Sequence, residues 1–266
     1  MDSTQLAELV EFGEAEAYAD MFAAAPAEWG LCIERIGSAV ALVAPSINTM
    51  LFNRVLGLGV IEPASEIHLM EAIALYQQAD VHHFGIQLSP LAQPGSLTDW
   101  LQAHGLRRAD NWAKVYRAAA EPIEVHSDLR VESIGPEYAS DFARVACTAF
   151  EMPLELQPWL ENLANRENWR AYLAFDGDQP VACGALFVRG DVGWLGVAGT
   201  LPAYRKRGGQ GALMAQRIRD AARLGCRWVV TETGEDLPER PNPSFHNMLR
   251  TGFILAYQRP NYLPGR

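Results

Sequence analysis

Three cations and three glycines stand together in Arg205-Lys206-Arg207-Gly208-Gly209-Gln210-Gly211. Directly after them Leu213, Met214, Ile218, Ala221 and Ala222 recur at helical spacing. The first turn of a helix leaves backbone N–H groups without partners and carries a partial positive charge, so it binds phosphate when the preceding loop allows close approach. Glycine removes the Cβ that would hold an anion off and permits the backbone angles of a nest of N–H groups. The chemistry implied is capture of a phosphorylated ligand. Neither Lys-Ser nor Lys-Thr follows the glycines, and G-x-G-x-x-G is absent, which excludes a P-loop and a dinucleotide fingerprint.

Other reactive side chains are less organised. Cys32, Cys147, Cys183 and Cys226 lie in apolar stretches without ligand spacing, so free buried thiols and no metal site are expected. Adjacent His82 and His83 point to opposite faces of a strand and make a poor metal pair. Ser244 and His246 do not establish a triad by proximity in sequence, and Ser244 reads as the cap of a short helix.

The elements that must position the loop follow from periodicity. The first 28 residues read as a helical lead-in. Strands are expected over residues 31–43, 53–61, 82–88 and 113–117, with helices over 64–79 and 97–104. Ile67, Met70, Ile73 and Tyr76 form the expected stripe of the first of these helices, and Ser96 with Asp99 resembles a capping box for the second. Periodicity lapses over Glu121 to Asp128, a proline-containing link. Beyond it, strands over 129–134, 170–175, 181–188, 192–200, 227–233 and 253–262 alternate with helices opened by Pro136, near 156–163, after the glycine loop, and over 244–250. The fold class is α/β, with helices flanking a mixed sheet.

The whole chain carries a net charge of −10, which argues against a nucleic-acid partner. Residues 1–127 hold 16 acids and 6 bases, and residues 128–266 hold 16 of each, so anion binding belongs to the second half. No apolar run approaches the roughly 20 residues of a membrane span, and the amino terminus lacks the cationic start of a signal peptide. A cytoplasmic protein with no membrane partner is expected.

The segment from Gly199 to Leu213 resembles the acetyl-CoA signature of the GCN5-related N-acetyltransferases (GNAT), Q/R-x-x-G-x-G/A, with Arg205 at its first position and Gly208 at its fourth. Gln210 departs from it at the sixth. Asn242 to Phe253, an Asn before a short helix ending in Gly252-Phe253, resembles a later motif of the same family. The resemblance covers roughly residues 129–263. It implies a catalytic domain over 128–266 with a mostly antiparallel sheet. Because that half repeats the strand, helix, strand, helix, strand order of the first, residues 1–127 are expected to be a smaller, degenerate GNAT-like half. It also implies acetyl-CoA as cosubstrate and an amine acceptor, small molecule or protein.

By this similarity Ala198, Gly199 and Thr200 hold the pantetheine arm, Arg205, Lys206, Arg207, Gly208, Gly209, Gln210 and Gly211 cradle the pyrophosphate, and Asn242 and Asn247 reach the cosubstrate from the far side. Glu232 is the candidate base. Where the family often carries a Tyr acid this chain has Met248, leaving Tyr257, Tyr262, His246 or water; Tyr257 is taken as the working candidate. Trp159, Trp169 and Trp194 are core residues or the lining of an acceptor pocket. A binding module that senses acyl-CoA without turnover is the competing reading, and a homodimer is compatible with either.

Overall fold

The computed structural model describes residues 1–121 and 123–265. In chain order the elements are α1 (Ser3–Phe22), β1 (Cys32–Ile36), β2 (Ala39–Val43), β3 (Arg54–Leu56), α2 (Glu66–Gln78), β4 (Gly85–Gln87), α3 (Leu97–Ala103) and β5 (Leu106–Ala118). They continue as β6 (Arg130–Ile134), α4 (Ala139–Ala149), α5 (Gln157–Leu163), β7 (Trp169–Asp176), β8 (Gln179–Arg189), β9 (Val192–Thr200), α6 (Gly209–Arg223), β10 (Trp228–Gly234), α7 (Pro243–Arg250) and β11 (Ile254–Pro264). Two compact units result. One comprises Met1–Lys114, Glu232–Arg240 and Leu255–Arg266; the other comprises Val115–Thr231 and Pro241–Ile254.

The first unit orders its strands β1-β2-β3-β4-β11-β5. Its lead-in helix starts at a full capping box: Asp2 accepts from the Gln5 N–H at 2.9 Å, and Gln5 accepts from the Asp2 N–H at 3.1 Å. The strand expected over 31–43 is a hairpin, because Gly37 (φ +56°) supplies the turn between antiparallel β1 and β2. β3 is shorter than expected: Gly57 and Gly59, both at φ +74°, leave the extended region and end it. On α2 the buried face is Leu69, Ala72 and Tyr76, whereas Ile67 and Met70 are exposed, so the expected stripe is rotated. Ser96 makes no side-chain cap. Ile86, Leu97, Leu101, Val55 and Tyr76 join one core.

The second unit orders its strands β10-β9-β8-β7-β6. β6, β7, β8 and β9 pair antiparallel, while β10 pairs β9 in parallel over three residues, Trp228–Val230 against Val192–Trp194. Leu213, Met214, Ile218 and Ala221 of α6 bury one face against Leu186, Leu195 and Val229, and Gly225 (φ +89°) follows its end. Trp159, Trp169 and Trp194 are all buried. Trp169 lies edge-on to Trp194 at 6.1 Å, which is the geometry of core aromatics. All four cysteines are free; Cys32 is exposed, against expectation, because β1 opens the edge of its sheet.

Among the described residues no helix is long and apolar enough to cross a membrane, and no group of three metal-ligating side chains is found.

Candidate functional site

A cleft of about 810 Å³ opens in the second unit at the carboxyl end of β9. Ala198, Gly199 and Thr200 form one wall, the loop Tyr204 to Lys206 and the start of α6 (Gly209, Gln210, Gly211) a second, and Asn247, Arg250 and Thr251 of α7 a third. Ala149 and Phe150 at the end of α4, with Glu124 and Val125 of the link, complete it. The parallel ladder between β9 and β10 ends at Trp194 with Val230, so the backbone of Ala198 to Thr200 is presented to the cleft beyond it. Gly199 is required here, since a Cβ would lie 2.5 Å from that of Ala149. Two of the twelve residues expected to bind the cosubstrate, Arg207 and Asn242, are not among the lining residues.

The glycine loop is shaped as much by its own chain as for a ligand. Gly208 sits at φ +77° and its Cβ would meet the His126 carbonyl at 2.5 Å, while a Cβ on Gly211 would lie 3.0 Å from Val125. The link therefore runs directly against the loop, a contact that sequence spacing gives no sign of. Arg207 explains how it is held. Its guanidinium grips Asp176 at 2.8 and 3.0 Å and also binds Asp128, and its carbonyl accepts from the Ser127 hydroxyl at 2.8 Å. These bonds hold both carboxyls below the usual carboxylate range. Arg205 and Lys206 remain at the cleft, joined by Arg250, which was not anticipated.

Gln210, the departure from the expected signature, is turned aside. Its Nε2 donates to Ser244 Oγ at 2.8 Å, and its Oε1 accepts from Asn247 Nδ2 at 2.5 Å. The side chain thus links α6 to α7. Asn242, not Ser244, caps α7: its Oδ1 accepts from the N–H groups of Ser244 (2.9 Å) and Phe245 (3.3 Å). Met248 is buried in the core. At the far end of α7, Arg117 donates to the Thr251 carbonyl, and a Cβ on Gly252 (φ +80°) would lie 2.9 Å from Arg117 Nη1, which accounts for the Gly of Gly252-Phe253.

Glu232 and Tyr257 lie in the first unit, within a buried polar cluster. Lys114 Nζ donates to Glu14 at 2.7 Å and to Glu232 at 3.0 Å. Arg259 donates to Glu11 and Glu14, each at 2.7 Å, and Arg54 approaches Glu14 at 2.9 Å between the rings of Tyr18 and Trp112. Three carboxylates thus face three cations. Burial would raise the pKa of Glu14, but the charges of Arg259, Lys114 and Arg54 outweigh it and hold it well below normal. For Glu232, burial, reinforced by the charge of Glu14, outweighs the charges of Lys114, Arg54 and Arg259 and pushes its pKa up. The Tyr257 hydroxyl donates to Glu11 at 2.7 Å, and burial raises its pKa. Sequence reasoning missed Glu11, Glu14, Arg54, Lys114 and Arg259. The available signal was a cation inside otherwise apolar strands.

Residues 153–236 match the family described as the acetyltransferase (GNAT) domain. The fold is that of known structures: a GCN5-related N-acetyltransferase from Kribbella flavida (TM-score 0.67, 16% identity, covering 97% of this chain and 96% of that one). A second is a GCN5-related N-acetyltransferase from Sphaerobacter thermophilus (0.61, 16%, 86% and 82%). A third is a tandem GNAT protein from the clavulanic acid biosynthesis pathway (0.58, 16%, 84% and 77%). No curated protein matches the sequence. Residues 153–236 are thus similar to the GNAT acetyltransferase domain, and the mixed, mostly antiparallel fold is shared with those structures.

Proposed function

We propose that the chain transfers the acetyl group of acetyl-CoA to a primary amine by direct attack, with the cosubstrate in the cleft at the end of β9. The observation that carries this reading is the convergence on one cleft of the α6 N-terminus, the cations Arg205, Lys206 and Arg250, and the backbone of Ala198 to Thr200. Helix N–H groups and cations suit the pyrophosphate, and the exposed strand backbone suits the amides of the pantetheine arm. Gln210 does not obstruct this, because its amide is bound to Ser244 and Asn247.

In the reaction a nitrogen–carbon bond forms as the amine lone pair enters the thioester carbonyl, the carbon–sulfur bond breaks, and the amine gives up a proton. A backbone N–H of β9 stabilises the oxyanion. Glu232, one residue beyond Thr231, whose hydroxyl bonds the Leu195 carbonyl of β9 at 2.7 Å, takes the proton. Its raised pKa suits a base, since it holds a proton more strongly than an ordinary carboxylate. Tyr257 is engaged with Glu11, so the departing thiolate draws its proton from solvent.

The test is release of free CoA thiol from acetyl-CoA across a panel of amines. Acceptor-dependent release is expected; tight binding without any release would favour an acyl-CoA sensor, the reading Met248 motivates, and no binding would end both. With an accepted amine, kcat/KM should climb as pH rises through the raised pKa of Glu232. Glu232→Gln should bind CoA normally, turn over slowly and lack that limb; an unchanged limb removes Glu232 as base.

A further inference from the structure

The second unit buries an arginine that this reading leaves unused. Arg217 of α6 is 1% exposed. Among the described residues its hydrogen-bond partners are carbonyl oxygens: Leu213 at 3.1 Å, Ala185 at 3.1 Å and Gly196 at 3.3 Å. An ionised side chain in the interior normally has a carboxylate partner, because an unpaired charge out of water is costly. Burial lowers its pKa only to about 10, so it stays cationic at neutral pH. A costly charge aimed at main-chain carbonyls calls for a role at those carbonyls.

They sit at an irregularity next to the cleft. Ala185 pairs with Gly196 and Cys183 with Gly199, so Gly184 alone opposes two residues, Val197 and Ala198. Val197 takes φ +48°, a value a β-branched residue rarely adopts. Gly184 makes room for the cation, since a Cβ there would lie 2.9 Å from Arg217 Cζ. A trans peptide points its carbonyl and its N–H in opposite directions. With the Gly196 carbonyl on Arg217, the Val197 N–H of the same peptide points away from it, and Ala198 to Thr200 of the cleft follow directly.

We infer that Arg217 is a positioning residue for acyl transfer: it fixes the β9 bulge and polarises the Gly196–Val197 peptide, so that its N–H is aimed and strengthened as a donor to the thioester oxygen. Hydrogen bonds in series polarise one another, and a cation on the carbonyl makes the N–H a better donor. The inference rests on acetyl-CoA occupying the cleft.

The test uses the full chain and acetyl-CoA labelled with 13C at the acetyl carbonyl, read by infrared difference spectroscopy, beside CoA affinity by calorimetry. In the wild type the bound carbonyl band should lie below that of free acetyl-CoA. Arg217→Met should return it toward the free position with CoA affinity retained, because CoA has no thioester carbonyl to polarise; Arg217→Lys should restore part of the shift. Gly184→Ala moves the guanidinium without removing it, serves if Arg217→Met does not fold, and should also return the band. A folded Arg217→Met or Gly184→Ala protein with the wild-type band overturns the role, as does a loss of CoA affinity that tracks the band. Failure of the wild type to bind acetyl-CoA would instead defeat the donor assignment itself.

Discussion

Lys114 is shared by two buried carboxylates, and its removal separates structural from chemical contributions. Its ammonium contacts Glu14 and Glu232, with the Lys114 and Glu14 side chains fully buried and that of Glu232 only 7% exposed. Lys114→Met leaves three carboxylates facing two cations, and breaking a buried pair from one side costs about 3–5 kcal/mol. Urea unfolding should show that loss, while Glu232→Gln, which preserves Lys114 with Glu14, should cost clearly less; equal losses would mean that the cluster is not coupled through Lys114. Individual residues of the cleft were legible in the sequence because glycines and cations ahead of a helix have a local chemical meaning. The cluster was not, because Glu11 and Arg259 meet across 248 positions and a glutamate on a helix reads as a solvated face until the fold buries it. Nor does the sequence reveal the partners of Arg207, which come from the link at Asp128 and from the last residue of β7, Asp176.

At the scale of elements, that arginine is a pin. It joins the loop before α6 to the link at Asp128 and to the end of β7 at Asp176. Both carboxyls have lowered folded pKa values, so the stability they contribute is present above their unfolded pKa and is lost as pH falls toward the folded values. The difference in Tm between wild type and Arg207→Gln should therefore be largest near neutrality and shrink below about pH 4, where unpaired aspartates protonate. CoA affinity should be little changed at neutral pH; a large loss would return Arg207 to the binding residues. Long elements with one clear period, α6 and the run β7, β8 and β9, could be read directly from residue spacing. The β1–β2 hairpin and the early end of β3 could not, because single glycines at positive φ decide them. On α2, tertiary packing selects Leu69, Ala72 and Tyr76 over an equally plausible stripe.

For the molecule as a whole, the order of the chain matters more than the change of charge at the link suggests. Residues 1–127 hold the acidic excess, yet the compact unit they begin also draws in Glu232–Arg240 and Leu255–Arg266. Its strand β11 pairs with β4 through Asn261 with Gln87 and Tyr262 with Ile86. The same strand delivers Arg259 to Glu11 and Glu14, Tyr257 to Glu11, and Asn261 to Gln87 at 2.7 Å. A fragment ending at residue 127 would have to bury Glu11 and Glu14 without Arg259 and leave the backbone of β4 without its β11 partner. Unpaired buried carboxylates alone would consume much of the about 5–15 kcal/mol by which ordinary domains are stable. Residues 1–127 expressed alone should therefore lack near-ultraviolet circular dichroism and cooperative unfolding, although α1 and α2 can retain some helix. Joining residues 255–265 to that fragment through a flexible linker should recover part of the cooperativity, and Arg259→Met in the joined fragment should abolish the gain. A cooperative fold from residues 1–127 without that strand would show that β11 and its arginine are dispensable to the unit.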